Sequence, residues 1–138
     1  MAIKYFRLKR KITTNSIPED KYIAVIQQEA RVGFEELAEM IEKKSTLSRG
    51  DILGVFAEME TTALWMLENG HPLILRLFGS YFPAIEATAV DTPEEVTVKT
   101  IKRFKCIYKP SVYMKKRFKK VEFVLGDNRV REVHYKKD

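Results

Sequence analysis

Leu47-Ser48-Arg49-Gly50-Asp51-Ile52 opens an element that closes at Asn69-Gly70, and the reading of that element decides the fold. Ser48 is a good N-cap, Asp51 stands where it can return the capping hydrogen bond, and Leu47 and Ile52 flank the start as a hydrophobic staple. Ile52, Val55, Phe56, Met59, Ala63 and Met66 then continue one apolar stripe, and Gly70 supplies the left-handed residue that ends a helix. Just upstream, Phe34, Leu37, Ala38 and Ile41 fall at helical spacing with Glu35, Glu36, Glu39 and Glu42 on the other side, which predicts a shorter amphipathic helix. The result is a helix–turn–helix pair whose long second member, with Glu58, Glu60 and Glu68, is acidic or neutral. Such a surface is a poor candidate to enter a major groove.

Beyond the pair the period shortens to that of strands. Leu73–Phe78 reads as a strand, Gly79-Ser80 as a turn or kink, and Tyr81–Thr88 as a return strand whose Pro83 argues for an edge position. Ala89–Glu95 breaks the pattern, and Val96–Tyr108 is then a long strand stopped by Lys109-Pro110. Ser111–Lys120 reads as a short basic helix. Val121–Leu125 and Val130–Tyr135 flank Gly126-Asp127-Asn128 as a terminal hairpin, and at the other end residues 3–12 and 21–27 form a strand pair around turn-rich Thr13–Asp20. The expected organisation is α+β: a β-hairpin extension over 1–30, a main domain over 31–120 and a hairpin tail over 121–138, all within one globular domain. No internal repeat or low-complexity tract is present.

The 138 residues carry a formal net charge of +6, which suits a polyanionic partner, and the distribution says more than the sum. From Lys99 to Lys120 there are ten lysines and arginines and no acid: Lys99, Lys102, Arg103, Lys105, Lys109, Lys115, Lys116, Arg117, Lys119 and Lys120. Strand alternation puts Val96, Val98, Thr100, Phe104, Cys106 and Tyr108 in an apolar row broken by Lys102, with Lys99, Arg103, Lys105 and Lys109 on the opposite face. With no acidic neighbour to offset them, these cations repel one another, and a polyanion would relieve that cost. The plainer alternative is a solvated outer face.

The single cysteine, Cys106, excludes an internal disulfide and reads as a small buried strand residue in a reducing compartment. No apolar run is long enough for a signal peptide or a membrane span, so a soluble cytoplasmic protein is expected. His71 and His134 have no partners at catalytic or metal-ligand spacing, and no glycine-rich phosphate loop occurs. An enzyme, a cofactor, a metal site and a small-molecule substrate are not expected.

The element order, from helix and capped longer helix through strand, glycine, strand and basic strand to Lys-Pro and a short helix, resembles the HU/IHF-like histone-like DNA-binding proteins. It is most similar to the Bacteroidetes-type variant with added N-terminal strands. The resemblance spans about residues 31–120 and rests on Ser45-Thr46-Leu47-Ser48-Arg49-Gly50-Asp51, on Asn69-Gly70 followed by Phe78-Gly79-Ser80-Tyr81, and on Phe104-Lys105-Cys106-Ile107-Tyr108-Lys109-Pro110-Ser111. It implies an intertwined homodimer with a β-arm that grips duplex DNA without sequence specificity, as part of the nucleoid. The arm and its base imply Arg76, Gly79, Ser80, Lys99, Lys102, Arg103, Lys105, Lys109, Ser111 and Lys115 as DNA contacts, the amides near Gly79-Ser80 and Ser111 donating to phosphate. Phe56, Met59, Ala63, Met66, Leu67, Phe78 and Tyr81 are the implied dimer interface. The surplus of large apolar residues on the long helix, Trp65 among them, agrees independently.

Two departures stand out. The family's wedge proline corresponds to Pro93, which sits among Asp91, Glu94 and Glu95 and reads as a turn residue. Leu77 replaces the first glycine of the family's Gly-Phe-Gly pattern. Two other functions compete: an interaction module that uses its terminal strands as edges, and RNA binding by stacking on Tyr5, Phe6 and Tyr22.

Overall fold

The structure is a computed structural model and describes residues 1–133. In chain order the elements are β1 (Ala2–Thr14), β2 (Ile17–Ile26), α1 (Phe34–Glu42), α2 (Arg49–Glu68), β3 (Leu73–Leu75), β4 (Gly79–Ala87), two single-turn 3-10 helices (Pro93–Glu95 and Val98–Thr100), β5 (Ile101–Pro110), α3 (Val112–Phe118) and β6 (Glu122–Glu132). The fold is mixed α+β. It gathers into two compact units rather than one: Met1–Arg31 with the chain from Lys119 on, and Val32–Phe118. No helix among the described residues is long and apolar enough to cross a membrane.

The first unit is a three-stranded sheet in the order β2-β1-β6. β1 and β2 pair from Tyr5↔Ile26 to Thr14↔Ile17, and only Asn15 and Ser16 turn, with φ of 53° and 65°. Two successive left-handed residues give the tight turn whose twist matches its strands. Most of the stretch expected to be loop is therefore ladder. Lys9, on the central strand, reaches Asp20 at 3.7 Å and Glu132 at 3.6 Å on the two flanking strands. Those two carboxylates, Asp20 foremost, hold its ammonium above the usual lysine range.

The expected terminal hairpin does not form. β6 is a single strand parallel to β1, paired from Ala2↔Glu122 to Tyr5↔Leu125 and again from Arg7↔Val130. The four residues from Gly126 to Arg129 are taken up opposite Phe6 between those registers, and the Arg7 guanidinium donates to the Asn128 carbonyl at 2.9 Å. A ladder partner on both sides of the glycine outweighs its turn propensity. The end of the predicted last strand, with His134 and Tyr135, lies outside the described residues.

In the second unit α1 and α2 form the predicted pair. Ser48 Oγ accepts the Asp51 N–H at 3.2 Å. The reciprocal bond expected from Asp51 is replaced by the acids of α1: Glu42 accepts the Arg49 N–H at 2.5 Å, and the Arg49 guanidinium donates to Glu35 at 2.6 Å. Glu36 reaches back to the Gly33 N–H at 2.9 Å. Its carboxyl lies below the usual range because its own N–H and that of Gly33 bind the anion. Gly70, at φ 85°, closes α2 in a Schellman motif, with Gly70 N–H on Leu67 O and His71 N–H on Met66 O, both at 3.0 Å.

The single apolar stripe predicted for α2 resolves into two. Ile52 is buried, and Leu53, Phe56, Ala63 and Leu67 are half-buried, with the Phe56 ring 4.9 Å from that of Phe34. Val55, Met59 and Met66 form a second, exposed row, and Val55 and Met59 border an open groove with Gly50 and Gly54; Leu64 and Trp65 are exposed elsewhere on the helix. Ala38 and Ile52 are the only buried hydrophobic residues among those described, so the chain by itself has almost no core.

Candidate nucleic-acid interface

The second unit's sheet has the order β3-β4-β5. β3 is shorter than predicted and pairs with β4 only from Leu73↔Tyr81 to Leu75↔Gly79, with Arg76-Leu77-Phe78 as the turn. Gly79 and Ser80 therefore start β4 instead of turning. Past Tyr81, β4 has only β5 beside it, which explains how Pro83 sits in the middle strand of a sheet: its missing donor faces an edge that β3 never reaches. From Phe82 to Ala87 the sheet is a two-stranded ribbon about 20 Å long at roughly 3.4 Å per residue.

The register assigns the ribbon's faces, because directly opposed residues share a face. Lys109↔Ser80, Ile107↔Phe82, Lys105↔Ala84 and Arg103↔Glu86 lie on one face, and Tyr108↔Tyr81, Cys106↔Pro83 and Phe104↔Ile85 on the other. At the far end the register shifts, Glu86↔Arg103 being followed by Ala87↔Ile101. Lys102 is thus the extra residue of a β-bulge, and it and Arg103 together oppose Glu86. The bulge moves Lys102 out of the apolar row that alternation predicts and puts Ile101 there in its place. Lys102, Arg103, Lys105 and Lys109 are thereby collected along one face.

Four expectations change. The long strand begins at Ile101, because Thr97–Thr100 turns: the Thr100 N–H and Oγ1 both donate to Thr97 O, at 3.0 and 2.7 Å. Lys99 therefore stands on a 3-10 turn, apart from the strand cations. An acid does offset the cluster, since Arg103 Nε donates to Glu86 Oε2 at 2.6 Å. Cys106 is exposed.

The base of the ribbon is a tight junction. Gly79 has φ +133°, and a Cβ there would lie 2.1 Å from Lys109 O and 3.0 Å from Pro110 Cα and Ser111 N. That approach lets the ribbon bind the turn before it: Tyr108 OH donates to Phe78 O at 2.7 Å, and Ser111 Oγ donates to Leu77 O at 2.6 Å. The Ser111 N–H goes to Phe78 O at 3.3 Å, so the amide expected to meet phosphate is already committed. Ser111 Oγ also accepts the Met114 N–H, capping α3. Gly79 and Ser80 are held in the ladders that β4 makes with β3 and with β5.

Other predicted contacts surround this base. The Arg76 guanidinium lies 5.7 Å from the Tyr113 ring, and Lys109 Nζ lies 5.2 Å from the Phe82 ring. Lys115, Lys116 and Arg117 crowd the last turn of α3, where the helix dipole favours cations. At the tip, Pro93 is the first residue of its 3-10 turn, the position where a proline costs no hydrogen bond, and Thr92 Oγ1 donates to Glu95 at 2.9 Å. Among the described residues no three His, Cys, Asp or Glu side chains gather to hold a metal.

A family model described as "HU domain fused to wHTH, Ig, or Glycine-rich motif" (HU-HIG) matches residues 1–124. The chain belongs to the HU-HIG family. The match takes in β1, β2 and the start of β6, so the terminal sheet lies within the stretch that the HU-HIG model covers. The fold is similar to that of a Bacteroides vulgatus ATCC 8482 protein provisionally named a bacterial DNA binding protein. The TM-score is 0.58 at 10% identity, over 93% of this chain and 50% of that one. This HU-HIG chain thus spans half the length of that neighbour. Among curated proteins none matches the sequence.

Of the residues expected at a dimer interface, Met59, Met66 and Phe78 are exposed, Phe78 by 62%. Phe56, Ala63, Leu67 and Tyr81 are half-buried in their own HU-HIG chain, Tyr81 with its ring 5.0 Å from that of Tyr108. Sequence reasoning missed Glu86 and the bulge. Glu86 could have been found by counting outward from Gly79 opposite Pro110; the bulge leaves no such signal.

Proposed function

We propose that this chain is a DNA-binding protein that acts as a homodimer and grips the duplex backbone and minor groove with its β4–β5 ribbon, largely without regard to sequence. One observation carries the reading: the bulge at Lys102 gathers four cations on one face of an exposed two-stranded ribbon. Glu86 subtracts one, which leaves a net three per ribbon. If each neutralises one phosphate, a ribbon contributes roughly −2.7 to the log–log salt slope, and two ribbons about −5.

Sequence tolerance follows from what the face lacks. Bidentate base readers are mainly arginine, asparagine and glutamine, with lysine as a second guanine reader. The face has no Asn or Gln, and its one Arg is paired with Glu86 in the free chain. The homodimer is supported by the large apolar residues that α2 leaves exposed, Val55, Met59, Leu64, Trp65 and Met66, among described residues that bury only Ala38 and Ile52 as core. RNA stacking is disfavoured, because neighbours on a strand face oppositely and so separate Tyr5 from Phe6, whose ring has the Arg131 guanidinium 4.0 Å away.

Fluorescence anisotropy with duplexes of unrelated sequence, single strands and RNA, across salt concentrations, tests the reading. Similar affinities for all duplexes and a steep salt slope are expected. Duplex binding that is absent or indifferent to salt would leave an interaction module on the same fold.

A further inference from the structure

The cation face of the ribbon includes one carboxylate, and the bulge sets Lys102 and Arg103 opposite it. Arg103 Nε donates to Glu86 Oε2 at 2.6 Å, and the two side chains stay 67% and 39% exposed. The pair is wet and open to exchange. Glu86 makes no other hydrogen bond or ion pair among the described residues, and its neighbour on that face of β4 is Ala84. It therefore holds nothing together except the guanidinium.

Resting on the DNA-binding reading, we propose that Glu86 is an affinity-setting residue: it occupies Arg103 in the free protein and competes with phosphate for it. The physical basis is that carboxylate and phosphate take the same donors of the guanidinium fork, so Arg103 cannot serve both fully. The ribbon thus binds more weakly, and lets go at lower salt, than its four cations alone would allow.

The test uses the full chain as wild type, Glu86→Gln, Glu86→Thr, Arg103→Ala and the Glu86→Gln/Arg103→Ala double variant, with anisotropy of one duplex across salt. Far-UV circular dichroism confirms that each variant is folded. Removing the carboxylate restores about one phosphate contact per ribbon, so the slope should steepen by about 0.9 and affinity rise about fivefold at 0.15 M salt, per ribbon. Both Glu86 variants should show the gain, and Arg103→Ala should abolish it. Wild-type binding that Glu86→Gln leaves equal or weaker would overturn the inference while the DNA-binding reading survives; Glu86 would then be holding Arg103 in a productive pose. A gain that persists without Arg103 would also overturn it. If neither wild type nor variants bind duplex, both ideas fall together.

Discussion

Gly79→Ala perturbs the junction on which the ribbon is mounted. The added Cβ would stand 2.1 Å from Lys109 O and 3.0 Å from both Pro110 Cα and Ser111 N. All three are backbone atoms, so no side-chain rotation relieves the overlap and β5 must move. Holding a non-glycine residue at φ +133° costs about 1–3 kcal/mol before any clash. Moving β5 also stretches the Tyr108–Phe78 and Ser111–Leu77 hydrogen bonds, each worth about 1 kcal/mol. The expected total is roughly 3–5 kcal/mol, a large share of the ~5–15 kcal/mol that stabilises an ordinary domain. Urea unfolding followed by the fluorescence of Trp65, the chain's one tryptophan, reports on this unit. The midpoint should fall sharply, and the thermal midpoint should drop by more than about 10 °C. A variant melting within about 2 °C of wild type would refute the account, because the backbone could then yield at the junction without cost.

Lys105→Ala with Lys109→Ala should weaken binding by a similar factor for unrelated duplexes and flatten the anisotropy salt slope by about 1.8 per ribbon; a loss confined to one sequence would point to base readout. Leu64 and Trp65 are each 59% exposed in one chain, so if a partner covers them, dilution should shift Trp65 emission to the red as the sedimentation mass halves. A monomer mass at every concentration would sink the dimer. Glu36 has a depressed carboxyl pKa in the folded chain, so its stabilisation of α1 is present above the usual glutamate pKa and is lost as pH falls through the folded value. Glu36→Gln should therefore melt below wild type at neutral pH and match it in acid, and a gap that persists in acid would contradict this.

Local signals were legible where the chemistry is local. Ser48, Gly70 and the glutamates of α1 announce the helix pair because caps and amphipathic spacing act within a turn or two. Reading the residues one strand at a time failed where the partner strand decides. Gly126-Asp127-Asn128 has good turn composition, yet β1 offers pairing on both sides and β6 runs through. Gly79 marks a close approach to Lys109 and Pro110, strand neighbours thirty residues away in sequence, so composition alone misassigns it to a turn. The cation cluster was visible as a count, but its arrangement was not. Alternation cannot anticipate an inserted residue, and the single bulge at Lys102 changes which side chains share a face.

The Gly79 junction also links stability to binding. A two-stranded ribbon is marginal by itself in water. Here its second face, with Ile85, Ala87, Ile101 and Phe104, has no cover within its unit, so little holds the strands together away from the base. Much of the fixed geometry comes from the Gly79 junction, where Tyr108 and Ser111 bind the Leu77 and Phe78 carbonyls. Cations on a ribbon that swings at its base meet phosphates in many poses and lose entropy on binding. A substitution at the junction, far from any cation, should therefore weaken DNA binding with an unchanged salt slope, because the number of phosphates engaged stays the same while the cost of ordering the ribbon rises. Tyr108→Phe, which deletes the hydroxyl and with it the bond to Phe78 O and the weak contact with Met114 Sδ at 3.5 Å, tests that effect. A parallel loss of slope would mean that the junction shapes the cation face itself.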